Sequence, residues 1–510
     1  MKIPLDRSAR KAGGEPLARQ IRSHLERLIR EGLLGPGVKL PATRDMAREL
    51  GVNRTTVTAA YEDLVAAGWC RAHVGQGTFV MERPAEAASP APPVRPRLDW
   101  GPVIARRAQA MATDARRRLA APAARGTGAP ISFAGGMPDS ELFPTDGFRR
   151  VLNAVVREEG RELLQYYPAA GYPPLREYLA GYLLRFGVEA RPDEILIVNG
   201  SQQGFDLVAR TLIDPGDVVA IEQPSYPRAI QVFRGFGAEL RPVPMTGGGL
   251  SLDHLQRVLE RERPKLVYCQ PSAHNPTGLT MGAAARRRLL DLAWQHRLPV
   301  VEDGFDGTLC YGESPPAPLK ALDAAGQVIY IGTFSKVLFP GLRLGWIVAP
   351  RELIEHLELA KQLADIHTSA LLQAAVYHFC RRRLLDRHQA RALAEYRRRR
   401  DALLAALAAH MPPGVSWTET TGGFSLLLTL PEGLDAALLL PRAVARGVAF
   451  TPGAAFFVDE GGGNTLRLSF SAVPLARIEE GVRRLAEVVR EAARQPGRPA
   501  REAVLAVPIV

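Results

Sequence analysis

From Glu15 to Gly32 the apolar residues Leu17, Ile21, Leu25, Leu28 and Ile29 recur three to four positions apart, the spacing of one buried helix face. Pro16 stands where a first-turn proline is tolerated. The next stretch, G-L-L-G-P-G-V-K-L-P, is rich in turn residues. Thr43 is expected to cap a short helix, Arg44 to Leu50, stopped by Gly51. Asn53 is expected to cap a second, Arg54 to Ala67, stopped by Gly68, with Val57, Tyr61, Leu64 and Val65 on its buried side. W-C-R-A-H-V-G-Q-G-T-F-V then reads as two short strands around the turn Gly75-Gln76-Gly77. Three helices followed by a hairpin make a winged helix-turn-helix.

The pattern breaks at residues 83–97, where five prolines and four alanines make an extended, semi-rigid linker. Structure resumes at Leu98, with a basic helix expected over Val103–Leu119 that packs on the domain after it. Beyond Ile131 short apolar runs alternate with amphipathic helices. Strands are expected at Ile195–Val198, Val218–Ile221, Leu266–Gln270, Pro299–Glu302, Val328–Ile331 and Leu344–Val348. Such alternation implies α/β architecture, a mostly parallel sheet flanked by helices. From about Leu353 come long helices, then strands near Phe424–Leu430 and Leu466–Phe470, which suggests a smaller α+β domain. The expected divisions are therefore a head over 14–82, the linker 83–97, and a body over 98–495. The body divides into a large domain, about 131–350, and a small one, about 351–495.

Composition narrows the functional classes. Of the 510 residues 46% are hydrophobic and 23% charged, ordinary for a globular chain of two or three domains. No apolar run approaches the length of a membrane span, and MKIPLDRSARKAGG lacks the apolar core of a secretory signal. Cys70, Cys269, Cys310 and Cys380 are far apart and form no C-x-x-C pair, which argues against a disulfide framework or a metal cluster. A cytoplasmic protein without a membrane partner or a metal is expected. The net charge of +12 is uneven. Residues 1–80 hold 13 Lys/Arg against 8 Asp/Glu, and residues 81–130 hold 9 arginines against 4 acids. A basic front end on a nearly neutral body points to an acidic partner, nucleic acid first.

In a helix-turn-helix the second helix turns its N-terminal residues toward base edges in the major groove. Here those residues are Asn53, Arg54, Thr55 and Thr56. Arg44 opens the preceding helix, where a guanidinium can reach phosphate or guanine. The glycines of the wing allow close approach of backbone to DNA. PLARQI, PGVKLPATRDMARELGVNRTTVTAAYEDLVAAGW and GQGTFV together resemble the GntR-type winged helix over about residues 14–80. That resemblance implies contacts to double-stranded operator DNA at Arg44, Arg54, Thr55, Thr56 and Gly77.

The sharpest chemistry lies in G-T-F-S-K-V-L-F-P-G-L-R-L-G-W, residues 332–346. A desolvated lysine, Lys336, can form a Schiff base with an aldehyde. Arg343 can clamp a phosphate, with hydroxyls from Thr333 and Ser335 beside it. Upstream, E-I-L-I-V-N runs into Gly200-Ser201-Gln202-Gln203 and a helix, whose first amide hydrogens form a phosphate seat. Asp303, at the end of a strand, can keep a pyridine nitrogen protonated. Asn275, in H-N-P-T-G, can donate to a ring oxygen, and Tyr226, in Q-P-S-Y-P, can lie on the ring face. The arginine run Arg397–Arg400 is expected to be a solvated helix face.

FAGGMPDSELFP, LLQYYPAAGYPPLRE, NGSQQGFDL, AHNPTG, VVEDGFD, TFSKVLFPGLRLGW and RLSF resemble the fold-type I aminotransferases, especially the aminoadipate/kynurenine-type branch, over about residues 98–490. Fused to a GntR-type head, the whole resembles the MocR subfamily of regulators. The resemblance implies pyridoxal 5′-phosphate (PLP) on Lys336, with Asp303 at the pyridine nitrogen. Asn275 and Tyr226 would touch the ring, and Ser201, Gln202, Thr333, Ser335 and Arg343 the phosphate. Tyr166 would reach the phosphate of the other subunit of a homodimer. Arg467 and the backbone of Gly136 would hold a substrate or effector carboxylate, and Arg228 a second anionic group. Phe305 stands where family members carry a tyrosine whose hydroxyl touches the ring oxygen. Its loss is expected to weaken proton handling and slow transamination, while leaving PLP binding intact. The expected function is a PLP-binding transcription regulator sensing PLP itself or an amino compound. The alternative is a working aminotransferase with an accessory DNA-binding head.

Overall fold

A computed structural model describes residues 3–6, 15–73, 75–82, 99–109, 111–112, 130–304, 309–312 and 316–494. Two compact units divide at Trp100. The expected linker, 83–97, lies outside the described residues.

The first unit contains α1 (Leu17–Arg30), α2 (Thr43–Leu50) and α3 (Arg54–Ala66), then β1 (Cys70–His73) and β2 (Gly77–Val80). Ile21 and Leu25 of α1 meet Met46, Leu50, Val57, Ala60, Tyr61 and Leu64 in one core, with Ile29 packed against it. Leu17 and Leu28 of the same expected stripe are half-buried and outside that core, so the buried face is narrower than the stripe. Val65 is only half-buried. Thr43 is not a cap: α2 begins at Thr43 itself, behind Ala42, with no side-chain capping bond. Asn53 does cap α3, its Oδ1 accepting from the Thr55 amide at 3.0 Å. Gly51 closes α2 in the left-handed region at φ 62°, where a Cβ would be strained. Strands β1 and β2 pair from Cys70–Val80 to His73–Gly77. Residues 37–40, read from sequence as a turn, lie along β2 through Leu40 N to Thr78 O at 2.8 Å and Val80 N to Val38 O at 2.9 Å.

The second unit is built on an eight-stranded sheet. After β3 (Ile131–Ser132), its strands are β4 (Ile195–Val198), β5 (Val218–Gln223), β6 (Glu239–Thr246), β7 (Gly249–Leu250), β8 (Leu266–Cys269), β9 (Val300–Asp303), β10 (Val328–Thr333) and β11 (Gly345–Val348). Their order is β4-β11-β10-β9-β8-β5-β6-β7. The central pairings from β10 through β6 are parallel, whereas β11 runs against both its neighbours and β7 against β6.

Successive residues enter different cores. Val300 and Val328 pack with the helices Leu252–Glu262 and Ala283–Gln295, and Val301, Ile329 and Ile331 with Ser201–Leu212 and Pro227–Gly235. A strand covered on both faces reads as a continuous apolar run. Strand β6 was not expected from the apolar pattern, because it carries Pro242 and Pro244. Those residues pair with β5 on one side, while β7 covers only Met245 and Thr246 on the other. Proline is tolerated at such an edge.

The small domain carries β12 (Ser416–Trp417), β13 (Ser425–Thr429), β14 (Val448–Ala449), β15 (Thr451–Pro452) and β16 (Thr465–Ser469). Four of them form a sheet, β12-β13-β16-β15, while β14 pairs with β3. The helices Leu384–His410 and Leu475–Arg494 pack on it. Of the expected helix Val103–Leu119, residues 106–109 and 111–112 are helical and 113–119 lie outside the described residues. Arg107 lies over the Phe236 ring at 5.7 Å, so this segment packs on the body. The run Arg397–Arg400 departs from expectation. Arg399 is buried, bonding Asp139 Oδ2 at 2.7 Å, Glu395 Oε1 at 3.0 Å and the Ser471 carbonyl. Desolvating a guanidinium is tolerable only with such pairing.

Candidate functional site

In the head, Arg44 is exposed on the first turn of α2, and Asn53, Arg54 and Thr55 are exposed at the start of α3, with Thr56 half-buried beside them. The Asn53 cap also takes the Thr55 hydroxyl at 3.0 Å, which fixes the first turn from which Arg54 projects. Gly77 sits at φ 114°, and a Cβ there would stand 2.7 Å from Lys39 Cε. Lys39, which the sequence did not single out, lies with its ammonium 5.8 Å from the centre of the Phe79 ring. It adds a cation beside Gly77, at the end of the wing's turn.

In the body, parallel strands deliver chemistry to one edge of the sheet, outside their C-terminal ends. Strand β9 ends at Asp303 and β10 at Thr333. Strand β4 runs into the helix Ser201–Leu212, and β8 into Gln270. Asp303 is buried. Its Oδ2 accepts from Tyr268 OH at 2.8 Å and from Gln270 Nε2 at 2.6 Å. Oε1 of the Gln270 side chain accepts from the backbone amide of Asn275 at 3.0 Å, so one side chain ties the carboxylate to the Asn275 loop. Tyr268 and Gln270 escaped the sequence reading. Their signal was a pair of polar groups at alternate positions in the buried run L-V-Y-C-Q, a local misfit of the kind that marks function.

Lys336 follows β10 by three residues, and its Nζ donates to the Gly136 carbonyl at 2.7 Å. Thr333 Oγ1 binds Ser335 Oγ at 3.0 Å and receives the Ser335 amide at 3.1 Å. Arg343 stands in the left-handed region just before β11 and donates through Nη2 to the Asn199 carbonyl at 2.9 Å. The turn at Gly200 has φ 79°, and a Cβ there would be 2.6 Å from Arg343 Nη2. Glycine is required for the guanidinium to lie across the start of the helix Ser201–Leu212. Helix first turns leave amide hydrogens without intrahelical partners; here Gln203 and Gly204 turn back to the Gly200 carbonyl, while Ser201 and Gln202 open the helix.

Arg467 projects from β16 and is 1% exposed. Its Nη1 donates to Asn275 Oδ1 at 3.1 Å, and Nη2 donates to the Ala134 carbonyl at 2.7 Å and to Thr451 Oγ1 at 3.3 Å. It lies 5.0 Å from the centre of the Phe456 ring, and its buried Nε has no hydrogen-bond partner among the described residues. Burial pulls its pKa down to about 10, which leaves it cationic at neutral pH. Burial, then the charge of Asp303, pushes Tyr226 up to about 12, while Arg228, Arg467 and Arg343 pull it back. Their mutual influence places Tyr226 among these charges. Arg228 lies at the start of the helix Pro227–Gly235, bonding Gln231 Oε1 at 3.2 Å.

Tyr166 stands apart, 80% exposed, with the His367 ring 6.0 Å away. Phe305 lies outside the described residues.

PLP requires an amine for its aldehyde, an anion for its pyridine nitrogen and a cationic, amide-lined cradle for its phosphate. Lys336, the doubly bonded Asp303 and the Gly200–Arg343 cradle fit those three requirements. Among the described residues no helix is long and apolar enough to cross a membrane.

Comparison with known proteins agrees with both halves. Residues 17–80 match the family described as bacterial regulatory proteins, gntR family, and residues 140–485 match aminotransferase class I and II. The aromatic-amino-acid aminotransferase 1 of Thermococcus litoralis is 41% identical over 71% of this chain and 88% of its own. The "Probable rhizopine catabolism regulatory protein MocR" of Rhizobium meliloti is 31% identical over 95% of each chain. Among solved structures, LysN, the α-aminoadipate aminotransferase of Thermus thermophilus, complexed with N-(5′-phosphopyridoxyl)-L-leucine, is 39% identical with a TM-score of 0.72. The match covers 78% of this chain and all of that one. With a relative that carries both halves aligned over nearly its full length, the chain belongs to the MocR-type regulators of the GntR family, in which a winged helix is joined to a PLP-dependent class I and II aminotransferase domain.

Proposed function

We propose that the head, residues 14–82, binds an operator as part of a homodimer, and that the body, 98–495, carries PLP on Lys336 and responds to an amino compound bearing a carboxylate. When bound, PLP supplies an aldehyde that condenses with amines and a pyridinium that draws electrons from the bond formed. Asp303 holds the pyridine proton. Asn275 and Tyr226 orient the ring. Ser201, Gln202, Thr333, Ser335 and Arg343 seat the phosphate, joined by Tyr166 of a second copy. Arg467, the Gly136 backbone and Arg228 receive the ligand's anionic groups. Arg44, Asn53, Arg54, Thr55, Thr56 and Gly77 meet DNA.

The observation that carries a sensing role is that one short loop takes both partners. Gly136 accepts from Lys336 and Ala134 from Arg467. A ligand that engages the amine or the guanidinium changes what that loop holds, and coupling to DNA then requires only that it favour one conformer. Tyr166 supports the dimer: it lies exposed, as do Leu164 and Leu363, at 70% and 83%, surfaces suited to burial against a second copy. The test is footprinting on the DNA upstream of the chain's own coding sequence, with and without PLP and candidate amino compounds. Protection that responds to one of them is the expected result. Protection indifferent to all of them refutes sensing.

A second reading, a working aminotransferase with a DNA-binding head, is favoured by the 41% identity to the aromatic-amino-acid enzyme. Conversion of PLP to pyridoxamine phosphate by an amino donor within minutes selects it. Persistence of the cofactor for hours, the outcome expected with Phe305 in place of tyrosine, rejects it.

A further inference from the structure

Behind the phosphate seat lies an ion pair, its lysine buried and its carboxylate half-buried, that the reading so far leaves without a task. Lys361 and Asp365 occupy the last turn of the helix Arg351–Asp365. The Lys361 side chain is fully buried, and its Nζ donates to Asp365 Oδ1 at 2.7 Å and Oδ2 at 2.9 Å. Oδ2 of Asp365 also accepts from Gln203 Nε2 at 2.7 Å and from the side-chain amide of Asn199. Asn199 is thereby held from three directions. Its side chain is on Asp365, its amide hydrogen is on Gln203 Oε1 at 2.7 Å, and its carbonyl is under Arg343 at 2.9 Å. Gly200 follows directly, so Asp365 grips the residues on both sides of the turn that opens the helix Ser201–Leu212.

The position of Asp365 is itself fixed. The helix stops there in a tight turn, with His367 N bonded to Asp365 O at 2.8 Å and Ile366 at φ 66°, ψ −65°. That conformation is strained for a β-branched residue and persists only where the surroundings impose it. The charges agree with an anion seat nearby. A lone carboxylate so close would repel a phosphate; Lys361 cancels it, leaving Arg343 and the helix N-terminus as the net positive field.

We propose that Asp365, neutralised by Lys361, is a positioning residue for the phosphate seat and makes this chain select the phosphorylated over the unphosphorylated cofactor. The proposal rests on the assignment of Ser201, Gln202 and Arg343 to the cofactor phosphate. It concerns phosphate alone, since nothing in the pair touches Lys336 or Asp303 among the described residues.

The full-length protein, stripped of cofactor, is titrated with PLP and separately with pyridoxal, which offers the same aldehyde without phosphate. The Schiff-base absorbance is followed in wild type, Asp365→Asn, Lys361→Met and the double variant. In Asp365→Asn the weakened hold on Asn199 and Gln203 opposes the attraction of the ammonium left uncancelled. The positioning role predicts that the first wins and PLP affinity falls about tenfold, the scale of one charge-assisted hydrogen bond, with pyridoxal affinity unchanged. Lys361→Met is expected to fall further, because a bare carboxylate then faces the phosphate. The double variant, neutral again, is expected to recover part of the loss and also serves if either single variant fails to fold. Equal losses for both ligands, or an unaltered ratio in all folded variants, overturn the proposal. A wild type that binds pyridoxal as tightly as PLP overturns the phosphate assignment beneath it, and one that binds neither overturns the cofactor reading as a whole.

Discussion

Arg467 holds Asn275 by its side-chain oxygen, Nη1 to Oδ1 at 3.1 Å, across the 192 residues that separate them. Because Oδ1 is occupied as acceptor, the amide nitrogen of Asn275 faces away from the guanidinium, as a donor to a ring oxygen must. The arginine thus does two things: it offers a fork for a carboxylate and orients a residue proposed to touch the cofactor.

Replacing Arg467 by alanine should therefore weaken binding of carboxylate-bearing amino compounds by about tenfold or more, the scale of a lost charged pair. Arg467→Lys keeps the charge but not the fork and should fall between. Spectral titration with amino acids of differing length measures both, and Arg228→Ala shows whether a distal acid is read there. If Arg467→Ala binds as wild type does, the carboxylate assignment is wrong. If no amino acid perturbs the wild-type spectrum, PLP itself is the better candidate for the signal.

Lys336 sets a second expectation. Purified protein should be yellow, and Lys336→Ala should lose the Schiff-base band while keeping a non-covalently held cofactor in the seat around Gly200. A colourless wild type that takes up no added PLP contradicts the assignment. So does a band that survives the substitution.

How much of this could be read before the fold was known follows from where each signal resides. Lys336, Asp303 and the Gly200 turn sit in short contiguous motifs at the ends of expected strands, so residue type and order along the chain grouped them, and the resemblance to the aminotransferases supplied their roles. The strand Ile195–Val198 was legible to the residue because both its faces are buried. Tyr268 and Gln270 were not, since their partner Asp303 is more than thirty residues away and only the parallel pairing of β8 with β9 brings them together. Lys361 and Asp365 carry no signal in the sequence, where a lysine and an aspartate at i,i+4 are indistinguishable from a surface bridge; only the burial of the lysine sets the pair apart. Arg399 misled for the same reason, being one of four consecutive arginines of which the helix buries one and lays the next, Arg400, over the Tyr311 ring at 4.9 Å.

A buried acid predicts how stability should depend on pH. Glu302 accepts the amides of Leu319 and Lys320, each at 2.8 Å, yet desolvation pushes its pKa up to about 7 from 4.5. The native state therefore holds a proton that the unfolded chain has released between those values. By linkage, the contribution is full below about pH 4.5 and is lost as pH rises through 7. Glu302→Gln, which mimics the protonated form, should flatten that part of the profile. Chemical denaturation at intervals from about pH 4.5 to 8 measures the slope, and an identical slope in the variant refutes the assignment.

The last expectation concerns DNA. Arg54 follows the Asn53 cap and is exposed at the first turn of α3, where a helix entering the major groove presents its side chains to bases. A bidentate contact of that kind is worth about 1–3 kcal/mol of discrimination, so Arg54→Ala should weaken operator binding roughly tenfold or more and relax sequence preference. PLP binding should not change, because the substitution lies in the head and every residue assigned to PLP lies in the body. Lys39→Ala provides the contrast. Removing a cation beside Gly77 of the wing that meets phosphate should weaken binding to all sequences alike and lower the salt dependence by about one phosphate contact. Operator and scrambled DNA titrated at several salt concentrations separate the two effects. Unchanged affinity and unchanged preference in Arg54→Ala would remove that residue from the groove.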